Sequence, residues 1–143
     1  MPYRNLNPTQ VKELLDGPEG WTYVDVRTEG EYAASHPANA RNIPFAIGTP
    51  PQMQVNPEFL AVVKANWKKD AKLVLACASG GRSSKACEVL VNAGYNNLVN
   101  MVNGFRGMRD PFGRVEKGWS DLGFPVENAA KPEQTYDQLR RKV

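Results

Sequence analysis

The sequence predicts an α/β fold built on parallel strands, and three observations carry that expectation. Leu73-Val74-Leu75-Ala76 is an apolar run of strand length, read as a strand buried on both faces. Gly80 and Gly81 follow at once. From residue 82 to residue 93 the spacing then turns helical, with Ala86, Leu90 and Ala93 on one row and Gly94 as the stop. Further strand-like stretches at residues 21–27 and 95–101 flank this unit, with an amphipathic helical pattern before it. Cys77 then falls at the carboxyl end of a buried strand, facing a helix N-terminus, where open α/β sheets place their ligands.

The elements follow in order. Tyr3-Arg4-Asn5-Leu6 reads as a short edge strand. Asn7-Pro8-Thr9-Gln10 opens a helix: Asn7 caps, Pro8 suits the first helical position and Gln10 reaches back to close a capping box. Val11, Leu14 and Leu15 form its apolar stripe, ended by Gly17-Pro18. Residues 21–27, rich in aromatic and β-branched side chains, are the second strand, with Asp25 and Arg27 two apart on one face at its carboxyl end. An ion pair that holds the following loop is the expected role for these two. A short helix over residues 29–35 leads to His36, the one histidine, read as structural. Residues 45–55 contain Gly48, Pro50 and Pro51 without periodicity and read as a loop long enough to overhang a neighbour, with Ile47 and Met53 as substrate-contact candidates. Asn56-Pro57-Glu58 repeats the cap-proline-acid start, before the amphipathic stripe Phe59, Leu60, Val63 and Trp67. After the third and fourth strands, Arg106 and Arg109 read as exposed arginines on a short helix or as a positive rim. Residues 127–143 are a tail that either docks a short helix through Tyr136 and Leu139 or frays.

Composition bounds the answer. The 143 residues, 41% hydrophobic, suffice for one core with little left for a second. No apolar run approaches transmembrane length, and Met1-Pro2-Tyr3-Arg4 lacks a secretory apolar segment. Two cysteines are too few for a disulfide scaffold and point to a reducing compartment, the cytoplasm or an organelle reached after removal of a transit peptide. The net charge of +3 is modest and spread along the chain, so no nucleic-acid footprint is expected, and no membrane partner.

At the end of the third strand the physics favours an anion. Unsatisfied N–H groups and the positive end of a helix dipole stabilise negative charge, and a cysteine thiolate is such a charge. Arg82, a cation in the first helical turn, opposes the dipole, so its presence asks for a reason such as a bound anionic substrate. Alone, Cys77 reads as a buried cysteine ending a core strand; the Gly-Gly-Arg-Ser loop reverses that balance. Cys87, on the same helix as Leu90 and Val91, reads as core packing, since about five residues of helix at 1.5 Å each plus the loop separate it from Cys77.

Cys77-Ala78-Ser79-Gly80-Gly81-Arg82-Ser83 resembles the active-site loop of the rhodanese (sulfurtransferase) family. Four residues separate Cys77 from Arg82, whereas the related cell-cycle dual-specificity phosphatases have a loop one residue longer, which makes room for phosphate. Further likenesses are Asp25-x-Arg27 with Glu31-Tyr32, Ala40-Arg41-Asn42-Ile43-Pro44 after His36, Asn103-Gly104-Phe105, and Gly118-Trp119 with Gly123-Phe124-Pro125-Val126. The resemblance covers residues 3–126 and implies a three-layer domain: about five parallel strands with helices on both faces. It implies transfer of sulfane sulfur from thiosulfate or a similar anionic donor, through a Cys77 persulfide, to cyanide or a thiol. Ala78, Ser79, Gly80, Gly81, Arg82 and Ser83 would bind the substrate, with Arg82 orienting the donor; Asp25 and Arg27 are supporting scaffold. No cofactor or metal is implied. A carrier passing persulfide sulfur to or from a thiol protein, and a cysteine phosphatase or arsenate reductase, are the alternatives.

Overall fold

The computed structural model describes residues 2–49 and 51–143; Met1, and Pro50 of the breaker-rich segment, lie outside the described residues. In chain order the elements are β1 (Arg4–Leu6), α1 (Pro8–Asp16), β2 (Thr22–Asp25), α2 (Glu29–Ala34), β3 (His36–Pro37), β4 (Arg41–Asn42), β5 (Ala46–Ile47), β6 (Gln54–Val55) and α3 (Phe59–Asn66). There follow β7 (Leu73–Ala76), α4 (Gly81–Asn92), β8 (Leu98–Met101), β9 (Met108–Arg109), β10 (Val115–Glu116), β11 (Val126–Glu127) and α5 (Tyr136–Leu139).

The central sheet has five strands in the order β1-β8-β7-β2-β4, every pairing parallel. β7, which ends one residue before Cys77, is the middle strand, so its residues are covered on both faces, as its continuous apolar run requires. Strand alternation divides them. Leu73, Leu75 and Cys77 join a cluster with Phe59, Val62 and Val63 of α3, and with Ala86, Cys87 and Leu90 of α4. Val74 and Ala76 join Val11 of α1, Tyr23, Val99, Met101 and Trp119 on the other side. Helices therefore lie on both faces of a parallel sheet, the three-layer arrangement the sequence implies.

Several starts and stops form as local chemistry dictates. Asn7 and Gln10 close a reciprocal capping box on α1, with Pro8 in its first turn. A second capping box, absent from the sequence reading, joins Thr28 and Glu31 at the start of α2.

Three expectations change. The stretch over 45–55 is not all loop: β5 and β6 pair antiparallel, Ala46 opposite Val55. Strands of two residues leave no periodicity to read. Asn56 does not cap at Pro57. Its Oδ1 accepts from Glu58 N–H in a turn, its Nδ2 donates to Pro44 O and Tyr136 Oη, and α3 begins at Phe59. Arg109 lies in β9, paired with β10, rather than on a short helix.

The last residues are docked. Tyr136 and Leu139 are 7% and 3% exposed and belong to the β7–α3–α4 cluster. Asn66 Nδ2 of α3 donates to Leu139 O, and β11 pairs with β3. His36 is fully buried, stacked on the Tyr32 ring at 3.7 Å, with Nδ1 donating to Tyr32 O and Nε2 3.2 Å from Glu127 Oε1. Its place is in the framework.

Candidate active site

The loop from Cys77 to Gly80 carries the chain from the centre of the sheet into α4. Gly80 adopts φ +115°, a conformation L side chains rarely take, and this turns the backbone so that its N–H points back at the sulfur. Cys77 Sγ accepts from Gly80 N–H at 3.1 Å and from Ser83 N–H at 3.5 Å, with Ser83 Oγ also 3.5 Å away. The sulfur thus faces the first turn of a twelve-residue helix, whose free N–H groups and dipole stabilise negative charge on it.

The loop is clamped from below. Phe105 N–H donates to Cys77 O, and Arg106 N–H donates to Ala78 O. Between Cys77 and Phe105 the backbones touch at Gly104: with φ +62°, a Cβ there would lie 2.4 Å from Ala78 O and 2.6 Å from Cys77 O. Ser83 Oγ lies 2.6 Å from Asn100 Oδ1, and Asn100 Nδ2 donates to Asn5 Oδ1, so a polar chain running from β1 through β8 fixes the hydroxyl. Asn100 is the polar break in an otherwise apolar strand, a signal the sequence reading passed over.

Of the residues named from sequence, Cys77, Gly80 and Ser83 meet at the sulfur. Ala78, Ser79 and Gly81 form the loop without a bond to Sγ, and Ser79 is exposed. Arg82 lies in the first turn of α4. Its guanidinium is committed to Glu31, Nη1 to Oε1 at 2.8 Å and Nη2 to Oε2 at 3.1 Å. The bond to Glu31 holds the guanidinium charge above its ordinary range despite partial burial. Burial works to raise the Glu31 carboxyl, but the bonds from Arg82 and Thr28 outweigh it and bring it down to about 2. Glu31 carries a second task as the acidic member of the α2 capping box, and the Thr28-x-x-Glu31 spacing is the sequence signal for it.

Asp25 ends β2 and Arg27 follows two residues on, beside the strand that leads to Cys77. They are 1% and 2% exposed and joined by three bonds of 2.7–3.1 Å. Arg27 also donates to Ser35 O and lies 4.4 Å from the Phe105 ring, tying the end of β2 to the segment that clamps the loop. Beside the loop a cleft of about 370 Å³ is lined by Thr28, Glu31, Gly48, Thr49, Met53, Arg82 and Arg106. Both cysteines are free; burial, with Glu88 adding, pushes the Cys87 thiol up to about 12.

A central cysteine at the end of a middle parallel strand, cradled by the following helix, defines a class that the comparisons name. The chain belongs to the rhodanese-like domain family, whose model matches residues 7–110. Among its relatives, the Arabidopsis thaliana "Protein HIGH ARSENIC CONTENT 1, mitochondrial" is 41% identical over 105 residues, 73% of this chain and 56% of that protein. "Thiosulfate sulfurtransferase 16, chloroplastic" from the same plant is 35% identical over 108 residues, 76% of this chain and 81% of that one. The chain therefore spans little more than half the length of the first relative and most of the second. The crystal structure of Rv0390 from M. tuberculosis aligns with a TM-score of 0.74 at 27% identity, covering 89% of this chain and 99% of that one. The family is thus one of sulfurtransferases. Among the described residues no helix is long and apolar enough to cross a membrane.

Proposed function

We propose that this chain moves a sulfane sulfur from thiosulfate or a similar anionic donor to a thiophilic acceptor, through a persulfide on Cys77. The observation that carries the reading is the pair of N–H groups, from Gly80 and Ser83, aimed at Cys77 Sγ at the N-terminus of α4. In the first step the thiolate attacks the outer sulfur of thiosulfate, the new S–S bond forms as the donor's S–S bond breaks, and sulfite leaves with the bonding pair. In the second, cyanide or a thiol takes the outer sulfur and the Cys77 thiolate returns. This is covalent nucleophilic catalysis, and ping-pong kinetics follow from it. Asp25 and Arg27 support the loop through the framework, and the remaining loop residues, 78–82, shape the space around the sulfur. The two free thiols suit a reducing compartment, the cytoplasm or an organelle. A thiol protein as acceptor, in a relay, uses the same chemistry.

A second reading, reduction of arsenate by the same thiolate, is favoured by the name of the relative at 41% identity. Intact mass after incubation with thiosulfate separates the two. The sulfur-transfer reading expects one added sulfur on the wild type, removed by cyanide and absent from Cys77→Ser. No adduct, together with thiol-dependent loss of arsenate that Cys77→Ser abolishes, would favour the second.

A further inference from the structure

Another pocket, of about 260 Å³, is walled by aromatic rings and does not belong to the reactive loop. Tyr23 of β2 lines it and packs with Val74 in the α1-side cluster, whereas Cys77 belongs to the cluster on the other face of the sheet. Trp21 and Trp119 complete the aromatic wall, with Trp119 and Tyr23 edge to face at 5.8 Å. Such a wall offers ring faces and edges to one further ring. The polar groups of the pocket divide into those with partners and those without. Lys12 and Asp16, one helical turn apart, pair with each other. Arg41 is half-buried, and its Nη1 donates to the carbonyl of Asn39, also in the wall. Among the described residues no carboxylate lies within ion-pair distance of it; Glu127 instead accepts from the Asn39 N–H and faces His36 Nε2. Tyr23 is 3% exposed, and among the described residues its hydroxyl has no hydrogen-bond partner. Asn66 Oδ1 is the one side-chain polar atom among them that is sealed without a partner, so the Tyr23 hydroxyl opens onto the pocket that its ring lines. Burial holds this phenol well above its usual range, which keeps it a donor at neutral pH.

We propose that this pocket binds a small aromatic carboxylate, its ring among Trp21, Tyr23 and Trp119 and its carboxylate on Arg41 and the Tyr23 hydroxyl, at a site separate from the reactive sulfur. An arginine without a counter-ion and a buried phenol without an acceptor are the two donors that a carboxylate satisfies together, through charge-assisted hydrogen bonds. The rings fix the other half of the ligand, and the volume, close to the lower end of small-ligand pockets at about 300 Å³, restricts it to one or two rings. The site does not depend on the sulfur-transfer reading.

The probe is 2-naphthoate, with calorimetry for its affinity and the indole N–H resonances for its place. Wild type is expected to bind it with a Kd of about 0.1–1 mM, and no saturation by about 10 mM overturns the site. The neutral 2-naphthamide is expected to bind about tenfold more weakly, and the saturated decahydro-2-naphthoate about fivefold more weakly. These comparisons need no variant: an amide as good as the acid overturns the carboxylate contact, and a saturated acid as good as the aromatic one overturns the ring contact. Arg41→Gln is expected to weaken naphthoate about tenfold and leave the amide unchanged, and Tyr23→Phe, which keeps the ring, to weaken naphthoate about threefold to fivefold. An unchanged affinity in Arg41→Gln removes the anion contact. The resonances of Trp21 and Trp119 should move on binding while that of Trp67, packed on the other face of the sheet, stays. A shift of Trp67 alone overturns the location. Carbamidomethylation of Cys77 should leave the affinity unchanged, and its loss would place the ligand at the reactive loop and overturn the separate site.

Discussion

Two arginine–carboxylate pairs of the molecule, each joined by more than one hydrogen bond, have very different surroundings. Asp25–Arg27 is sealed in the framework at the end of β2, its two side chains 1% and 2% exposed. Glu31–Arg82 sits at the cleft beside the reactive loop, with 26% and 23% of its side chains open to solvent. The buried pair has no water to fall back on, so each partner depends on the other. Burial alone would weaken the Arg27 charge, and the bonds to Asp25 more than restore it. The open pair can exchange its partner for water, which suits it to setting the charge of a site rather than holding the fold.

The sharpest way to break the comparison is to remove one acid from each pair. Asp25→Ala leaves the Arg27 guanidinium buried without its carboxylate and is expected to cost about 3–5 kcal/mol. Chemical denaturation with an unchanged m-value would measure it. Glu31→Ala removes a capping-box member and a half-open ion pair and is expected to cost about 1–2 kcal/mol. Equal losses from the two variants would mean that solvent access does not distinguish the pairs.

The framework contact above Arg27 offers a second large effect. Gly104 separates the Phe105 segment from the reactive loop, and a methyl group at that position meets backbone carbonyls at 2.4–2.6 Å in addition to requiring φ +62°. Gly104→Ala is expected to destabilise by about 2–4 kcal/mol and to displace the Cys77 loop, because backbone on both sides leaves nothing flexible to yield. Thermal melts combined with Cys77 alkylation rates would report both consequences.

Much of this arrangement is legible in the sequence. The unbroken apolar run at 73–76 identifies the middle strand, and the glycines that follow mark the turn into α4. Asp25 and Arg27, two apart at a strand end, read as a pair because strand periodicity puts them on one face. Arg82 and Glu31 are 51 positions apart, and no local period links residues on different elements, so the sequence shows a lone arginine where the fold makes an ion pair. The same reason hides Gly104 against Ala78 and Asn100 against Ser83. Docking of the last residues was legible only as one of two outcomes: Tyr136 and Leu139 lie on one turn of helix, too short for an amphipathic stripe to decide between docking and fraying, and only the fold supplies the α3 surface that they cover.

Acid acts directly on the open pair. The Glu31 carboxyl lies near 2 in the folded chain, below its ordinary value of about 4.5, so the folded state resists its protonation more than the unfolded state does. The resulting stability is fully present above about pH 4.5 and is lost as the pH falls toward 2. After allowing for the open side of the pair, the contribution is on the order of 1–2 kcal/mol. Stability curves of wild type and Glu31→Gln between pH 5 and about 2 are therefore expected to converge, with the wild type steeper. Parallel curves would remove Glu31 from the acid response.

The smallest expected effect is the direct coupling within the open pair. Thr28 holds the Glu31 carboxylate through its own N–H and hydroxyl, so removing Arg82 leaves the carboxylate bonded and partly hydrated. A double-mutant cycle with Glu31→Gln and Arg82→Gln is expected to give about 0.5–1 kcal/mol of coupling in stability. The corresponding cycle on Asp25 and Arg27 should give several-fold more. Salt sharpens the contrast, because about 1 M electrolyte shortens the screening length to about 3 Å and weakens an exposed pair while leaving a sealed one almost untouched. If the Glu31–Arg82 coupling persists unchanged at that ionic strength, the pair is closed to solvent, and its contrast with Asp25–Arg27 disappears.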